Sequence, residues 1–248
     1  MKKILVGYTG LVGQTLYENI DFDYKFNSSN IQNIVNVEEK CILYLSCLPA
    51  TKWAANQHPI PDYENIISIF NLLKTKTYSE INLISTIDVY EECVLGSNED
   101  TLPIISKLGY GQNRYLFEIL IKSLQCPVTK IIRLPGLFGK GLKKNLIFDL
   151  LNNHRVEYIN PYSTLQWYDL KDLTQDIQNL PKHNGLYNLF PEPIPTVEIF
   201  NLFNIQPNYN FSQGIIYDYK TKYFENGYIY DQKTSLKKLK TYINEFKY

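Results

Sequence analysis

The sequence lacks an excess of charge of either sign. Its 25 lysines and arginines are balanced by 25 aspartates and glutamates, so the formal net charge is zero. Proteins bind nucleic acids and anionic membranes chiefly through basic patches, and this balance gives no electrostatic reason to expect either partner. Long apolar runs are also missing: the chain has no stretch of about 18 apolar residues, and we therefore expect no membrane-spanning segment.

Cysteine and arginine are scarce. The four cysteines form neither a C-x-x-C pair nor a Cys/His cluster, which predicts no metal site and favours reduced thiols in a cytoplasmic protein. The apolar stretch at residues 4–6 is too short for the core of a signal peptide. The only arginines are Arg114, Arg133 and Arg155. We single them out because a guanidinium forms paired hydrogen bonds that a lysine cannot.

Strand and helix signals alternate over residues 1–140. Such alternation predicts an α/β fold, here a Rossmann-type, doubly wound parallel sheet. The interval 27–40 is short for a full crossover helix and a third strand, so we expect that unit to be trimmed. Buried strands are predicted at Ile4–Val6, Tyr24–Phe26, Cys41–Leu45, Ile81–Ile84 and Val128–Arg133, and helices after Gly13, at Asp62–Lys74 and at Tyr110–Leu124.

The alternation weakens after residue 140. We expect residues 141–248 to form a small carboxy-terminal lobe, with some segments returning to the core formed by residues 1–140. Helices are predicted at Asn145–Leu151, Leu170–Leu180, Thr196–Phe203 and Thr234–Phe246, and short strands at Glu157–Ile159, Gln166–Tyr168 and Gly185–Leu189.

A glycine-rich turn, Gly7-Tyr-Thr-Gly10-Leu-Val-Gly13, joins the first strand to the first helix. In such turns the first glycine bends the chain, the second lets the backbone approach a pyrophosphate, and the third lets the helix pack on the strand. Phosphates then meet free N–H groups at the helix N-terminus. The motif predicts a dinucleotide site with contacts from Gly7, Thr9, Gly10, Leu11, Val12 and Gly13.

The G-x-x-G-x-x-G spacing resembles that of the short-chain dehydrogenases/reductases, and other motifs resemble their extended, NAD-dependent epimerase/dehydratase-like branch. The motifs follow the family's order over residues 1–140, and the remaining third matches loosely. Tyr110-Gly-Gln-Asn-Arg114, continued by Glu118, resembles Y-G-x-x-K-x-x-x-E; Ser85-Thr86-Ile-Asp88-Val-Tyr90 resembles S-[ST]-x-x-V-Y-G; residues 65–73 resemble N-v-x-G-T-x-N-L-L; and residues 133–139 resemble R-x-x-n-v-y-G.

The resemblance implies catalytic roles for Thr86, Tyr110 and Arg114. A ketone that receives hydride also needs a proton, which Tyr110 would supply while Thr86 orients the substrate oxygen. Arg114 stands where the family has a lysine that lowers the tyrosine pKa and holds the nicotinamide ribose. The implied cofactor contacts also include Tyr110, Arg114, Cys47, Leu48, Pro49 and Pro135.

The end of the second strand bears on the choice of cofactor. NAD-specific folds usually place an acid there for the ribose 2′-hydroxyl, and residues 26–30 contain no carboxylate. Asn27 and Ser28 could bind a 2′-phosphate, with Lys25 nearby. The segment favours NADP over NAD, although it has no arginine to clamp that phosphate.

The resemblance implies a nucleotide-diphosphate sugar as substrate, bound in part by the carboxy-terminal lobe. The family's dehydratases show T-D-E where this chain has Thr86-Ile87-Asp88, which disfavours elimination and leaves a 4-ketoreductase or an epimerase. Asp88 and Asn145 are candidate substrate contacts. An alternative of a different class is a non-catalytic, dinucleotide-binding regulatory or scaffold protein. Homodimers that include the helix at Tyr110–Leu124 are common in the family.

Overall fold

The computed structural model describes residues 1–246. Its strands are β1 (Lys3–Val6), β2 (Tyr24–Phe26), β3 (Cys41–Leu45), β4 (Tyr78–Thr86), β5 (Thr129–Leu134), β6 (Gly136–Phe138), β7 (Thr164–Leu165), β8 (Trp167–Asp169), β9 (Gly185–Asn188) and β10 (Ile194–Pro195). Its α-helices are α1 (Leu11–Asn19), α2 (Lys52–Gln57), α3 (Pro59–Leu73), α4 (Tyr110–Lys122), α5 (Leu146–Leu151), α6 (Leu173–Asn179), α7 (Thr196–Phe203) and α8 (Gln232–Phe246). None of the helices described combines the length and apolarity needed to cross a membrane.

A six-stranded sheet organises the first compact unit, which comprises Met1–Val94, Thr101–Leu134 and Asp172–Asn188. The strand order is β2-β1-β3-β4-β5-β9, and every neighbouring pair is parallel. Helices α3 and α4 pack together, as do α1 and α6. The predicted α/β fold with a Rossmann-type, doubly wound parallel sheet is confirmed.

The central strands are apolar because both faces of the sheet are covered. Ile4, Leu43, Ile81 and Ile131 are fully buried, one on each of four adjacent strands. Between β2 and β3 the chain forms a 3-10 helix, Ile31–Asn36, in place of a crossover helix and another strand. The sheet therefore has β2 at its edge, and β1 pairs directly with β3.

The second compact unit comprises Leu95–Asp100, Pro135–Lys171 and Leu189–Tyr248, of which residues 247 and 248 lie outside those described. Strands β6 and β8 pair in parallel, and β7 pairs with β10 in antiparallel fashion. Helix α8 packs on β8, and α5 packs on α7. The two units divide after Leu134, whereas the boundary expected from the sequence lies after residue 140.

Two local predictions were wrong. The segment Glu157–Ile159 was expected to be a strand, but Val156–Tyr158 forms a 3-10 helix that follows Arg155 in a left-handed conformation. The predicted helix Leu170–Leu180 is shorter, because Leu170–Asp172 is a 3-10 turn and the α-helix begins at Leu173. Alternating apolar residues in short segments do not separate strands from tight helical turns.

A buried ion pair fixes helix α4 against the sheet. Glu118 on α4 accepts hydrogen bonds from Arg133 Nε at 2.9 Å and from Arg133 Nη2 at 2.6 Å, and both residues are fully buried. Ser85 Oγ on β4 donates to Glu118 Oε1 at 2.5 Å. Three of the motifs noted in the sequence thus meet at one carboxylate, which joins α4 to β4 and β5.

Replacement of Glu118 by alanine tests the importance of this pair. We expect the free energy of unfolding to fall by about 3–5 kcal/mol, because Arg133 would remain buried without its counter-charge. Lys122→Ala, an exposed position on the same helix, is the matched control and should change stability by less than about 0.5 kcal/mol. Denaturant unfolding measures both; equal effects would show that the pair does not anchor α4.

Candidate functional site

The glycine-rich turn lies between the carboxyl ends of β1, β2 and β3. Gly7 N–H donates to the Phe26 carbonyl at 2.7 Å, and Ser46 N–H donates to the Val6 carbonyl at 3.0 Å. Helix α1 begins directly after Gly10, and no side chain caps its N-terminus. The first N–H groups of such a helix have no partner within the helix and are available to an anion.

Packing within the protein explains two of the three motif glycines. A Cβ on Gly7, which has a φ of +95°, would lie 2.3 Å from the Ser46 carbonyl oxygen. A Cβ on Gly13 would lie 2.0 Å from the Gly7 carbonyl oxygen. Both positions therefore require glycine for the turn itself to close.

Gly10 is different, because neither its backbone nor its neighbours require glycine. Its φ and ψ of −79° and 165° suit any residue, and the nearest atom to an added Cβ lies 3.5 Å away. Because Gly10 has no side chain, its backbone leaves room for a group from outside the turn to approach. We call this opening the Gly10 cradle, and it is the fit expected for a bound pyrophosphate.

The segment after β2 is organised by Asn27. Its Oδ1 accepts from both Ser29 N at 2.9 Å and Ser29 Oγ at 2.7 Å, and its Nδ2 donates to the Tyr8 hydroxyl at 3.2 Å. Ser28 is exposed and lies at the tip of this turn. Lys25 Nζ donates to the hydroxyl of Tyr17, in the last half of α1, at 2.7 Å.

Cys47, Leu48 and Pro49 follow β3, and the backbone of Cys47 lies next to Gly7, since a Cβ on Gly7 would be 2.8 Å from the Cys47 Cα. Burial raises the pKa of the Cys47 thiol to about 12. The thiol is therefore protonated at neutral pH and is a poor nucleophile. The Pro49 carbonyl accepts a hydrogen bond from Arg114 Nη2 at 2.6 Å, which ties this loop to α4.

Gly111 brings the Thr86 and Tyr110 segments together. A Cβ on Gly111 would lie 2.0 Å from the Asp88 carbonyl oxygen, so the start of α4 packs directly on the 3-10 helix Ile87–Tyr90. Tyr110 N–H donates to Asn56 Oδ1 of α2 at 2.8 Å, which caps α4 from a neighbouring element. Thr86 and Tyr110 are both partly buried.

Asp88 links Thr86 to a lysine. Thr86 Oγ1 donates to Asp88 Oδ2 at 3.0 Å, and Lys52 Nζ of α2 contacts Asp88 Oδ1 at 2.8 Å. Lys52 also lies 3.3 Å from Glu91 Oε1. The predicted substrate residue Asp88 thus lies inside the group of polar side chains around Thr86.

Arg114 forms a buried, two-point ion pair that the sequence did not predict. Its Nη1 lies 2.7 Å from Asp62 Oδ2 and its Nη2 lies 3.1 Å from Asp62 Oδ1, with Asp62 on α3. The side chains of Arg114 and Asp62 are 5% and 8% exposed, so both charges are withdrawn from water. The guanidinium carbon lies 4.4 Å from the centroid of the Tyr110 ring.

The surroundings of Tyr110 keep its phenol protonated. Burial raises the pKa of Tyr110 above its ordinary value, and the nearby Asp88 carboxylate raises it further. Arg114 and Lys52 act in the opposite direction without reversing the result. The expectation that Arg114 lowers this pKa holds for the direction of its own influence, but burial outweighs it.

Pro135 and Asn145, the other predicted site residues, belong to the second unit. Pro135 is buried and lies between β5 and β6. The Asn145 amide caps α5: its Oδ1 accepts from Phe148 N at 3.1 Å, and its Nδ2 donates to the Leu137 carbonyl at 2.8 Å. This capping role explains the presence of Asn145 without any contact to a ligand.

Asp62 and Lys52 were not predicted to lie near the predicted catalytic residues. Residues 53–58 were expected to form a loop over the site with Asn56 among the candidate substrate contacts, whereas Lys52–Gln57 forms α2. One signal was available for Asp62: a buried arginine needs a carboxylate, and Asp62 opens the helix predicted before α4. No local pattern pointed to Lys52.

Sequence comparisons identify no relative: no family model matches the chain, and no curated protein matches it. Solved structures do resemble it over its whole length. A dTDP-4-dehydrorhamnose reductase from Bacillus anthracis, solved with NADP, is 19% identical with a TM-score of 0.76, covering 98% of this chain and 99% of that one. A dTDP-4-dehydrorhamnose reductase from Clostridium acetobutylicum is 18% identical with a TM-score of 0.77, covering 100% of both chains.

A UDP-glucose 4-epimerase from Thermotoga maritima, solved with UDP-glucose, also has this fold, with 12% identity, a TM-score of 0.70 and coverage of 100% of this chain and 99% of that one. These neighbours belong to the short-chain dehydrogenase/reductase superfamily that the motifs resemble. At such low identity the likeness establishes a shared fold. The particular reaction has to be argued from the site.

Replacement of Gly10 by valine tests the cradle. The protein should stay folded, losing about 1 kcal/mol at most at the helix N-cap, while its affinity for NADPH falls at least tenfold because the side chain fills the phosphate path. Fluorescence titration measures the affinity and thermal unfolding measures the fold. In contrast, Gly13→Ala should fail to fold. Undiminished NADPH binding by a folded Gly10→Val variant would contradict the cradle.

Proposed function

We propose that this protein is an NAD(P)-dependent reductase that converts a keto group of a nucleotide-diphosphate sugar, most simply the 4-keto group, into an alcohol. The observation that carries the proposal is the grouping of Thr86, Asp88, Tyr110 and Arg114 on adjacent elements of a Rossmann-type unit that also holds the Gly10 cradle. Ligands of such sheets bind at the carboxyl ends of the strands, where these residues lie.

The chemistry assigned to the chain is proton transfer and orientation. A bound nicotinamide would supply hydride to the carbonyl carbon. The Tyr110 hydroxyl would give its proton to the carbonyl oxygen, so that the ketone becomes an alcohol and the phenol becomes a phenolate that solvent reprotonates. The Thr86 hydroxyl, which now donates to Asp88, would turn to donate to the same substrate oxygen.

The protonated state of Tyr110 fits the first step of a reductase. A reductase begins with the phenol as an acid, whereas an epimerase that oxidises its substrate begins with the phenolate as a base. Burial raises the pKa of Tyr110, so the phenol is available as an acid at neutral pH. Solved reductases and epimerases share the fold, so the fold does not separate the two reactions.

Within the first unit, the cofactor would be held by the glycine turn and by the backbone of Cys47, Leu48 and Pro49. The turn after β2 supports NADP, since the exposed Ser28 and the Asn27 amide offer hydrogen bonds without a carboxylate to repel a 2′-phosphate. Nothing in this segment prevents NAD from binding in the same cradle.

Tyr110→Phe tests the proton donor. Turnover of a 4-keto-6-deoxy sugar nucleotide should fall by roughly 10²–10⁴, because only the hydroxyl is lost, while NADPH affinity should stay within a few-fold of wild type. The assay follows NAD(P)H consumption across a panel of such substrates with both nicotinamides. Tyr115→Phe on the same helix is the matched control and should retain turnover.

Three other outcomes would count against the reductase. Turnover by Tyr110→Phe within a few-fold of wild type would show that Tyr110 is not the proton donor. Interconversion of sugar epimers with no net NAD(P)H consumption would identify an epimerase. Tight dinucleotide binding without turnover on any member of the panel would favour the regulatory or scaffold alternative.

Ser28→Asp tests the cofactor preference. A carboxylate at this exposed position should repel the 2′-phosphate and move the ratio of kcat/KM for NADPH over NADH toward NADH by about tenfold. Asn36→Asp, at an exposed position on the following 3-10 helix Ile31–Asn36, controls for a general effect of charge. A wild type that already prefers NADH strongly would contradict this interpretation of the segment.

A further inference from the structure

We propose that Asp62 is a positioning residue for the reaction: it holds the Arg114 guanidinium beside the Tyr110 ring and offsets part of its charge there. The inference rests on the proposed function for the use of Tyr110 as an acid. The ion pair between Asp62 and Arg114 does not depend on which substrate the protein binds.

The geometry shows that Arg114 is held by the protein. Three of its hydrogen bonds go to protein acceptors: two to the Asp62 carboxylate and one to the Pro49 carbonyl. Asp62 Oδ2 also accepts from Asn113 Nδ2 at 2.8 Å, and the same amide nitrogen donates to the Pro59 carbonyl at 2.9 Å. Helices α3 and α4 and the loop after β3 therefore fix the position of the guanidinium.

Neutralisation follows from the burial of the pair. Two opposite charges that share a two-point contact and are almost withdrawn from water act on a third group as a dipole rather than as a net cation. Arg114 therefore influences Tyr110 much less than an unpaired lysine would. An arginine also cannot release its proton at any working pH, so this residue cannot relay a proton to the phenol.

The other charged groups near Tyr110 leave little net positive charge. Asp88 faces it from the 3-10 helix Ile87–Tyr90, and Lys52 faces it from α2. Lys52 is itself in contact with both Asp88 and Glu91. Arg114 and Lys52 lower the pKa of Tyr110, and each of these cations is paired with acids that offset part of its charge.

The test compares the ionisation of Tyr110 in Asp62→Asn, Arg114→Gln and the double variant, without substrate. Tyrosine labelled with ¹³C at Cζ reports ionisation by NMR, and the Tyr110→Phe spectrum assigns the signal. Asp62→Asn should lower the pKa of Tyr110 by about one unit, because Arg114 becomes a net cation. Arg114→Gln should raise it, because Asp62 becomes a net anion, and the double variant should lie between the two.

Opposite shifts distinguish this role from a structural one. If Asp62 only held the helices together, both single variants would expose the phenol and lower its pKa, and that result would overturn the proposal. Asp62→Glu keeps the charge and should leave the pKa unchanged. Should Asp62→Asn alone not fold, the double variant leaves no unpaired charge at this position, and its Tyr110 pKa should lie below that of Arg114→Gln. Equal values in Arg114→Gln and the double variant would refute the proposal.

The alkaline limb of the plot of kcat against pH measures the same effect on turnover. In Asp62→Asn it should move to lower pH, since the acid form of Tyr110 is lost earlier, and KM should change less than kcat. The NMR titration needs no turnover. The expected shifts in a protein inactive on every sugar nucleotide would support Asp62 as the neutralising residue while refuting the proposed reductase.

Discussion

The buried ion pair between Glu118 and Arg133 determines where helix α4 lies, and the candidate site depends on that helix. The pair ties α4 to β4 and β5, and the close approach of Gly111 to Asp88 then sets the start of the helix beside the end of β4. Tyr110 at the first position of α4 consequently lies near the Thr86 segment. A buried pair of this kind contributes through its geometry, because its desolvation offsets much of its attraction.

The scarcity of arginine has a structural explanation. Arg114 is on α4 and Arg133 packs against this helix; each is buried and held at two points by a carboxylate, and Arg155 is exposed. Most of the described lysines are exposed, and Lys130, paired with Glu80, is a buried exception. Arginine is used where a planar guanidinium must pair with a buried acid, and at Arg114 this guanidinium also faces the Tyr110 ring.

The sequence predicted what local patterns can encode. The glycine turn, the strands before it and after it, and the helix that begins at Tyr110 all carry short-range signals, and the parallel sheet follows from their alternation. The partners of Arg114 could not be predicted in this way, because Asp62 lies 52 positions away and meets it only through the packing of α3 on α4. Helix α2 was not predicted because its six residues give too short a pattern, and Lys52 on this helix was not predicted either.

In the proposed function, hydride transfer is the step that requires the Gly10 cradle together with Thr86 and Tyr110, and deuterium labelling observes this step directly. The purified protein would be incubated with a 4-keto-6-deoxy sugar nucleotide and NADPH or NADH carrying deuterium at the nicotinamide C4, and the product analysed by mass spectrometry and NMR. The account predicts one deuterium per product molecule, bound to the sugar carbon that carried the keto group, from one face of the nicotinamide only. A product without deuterium, or recovery of the substrate unchanged with either labelled nicotinamide, would contradict it.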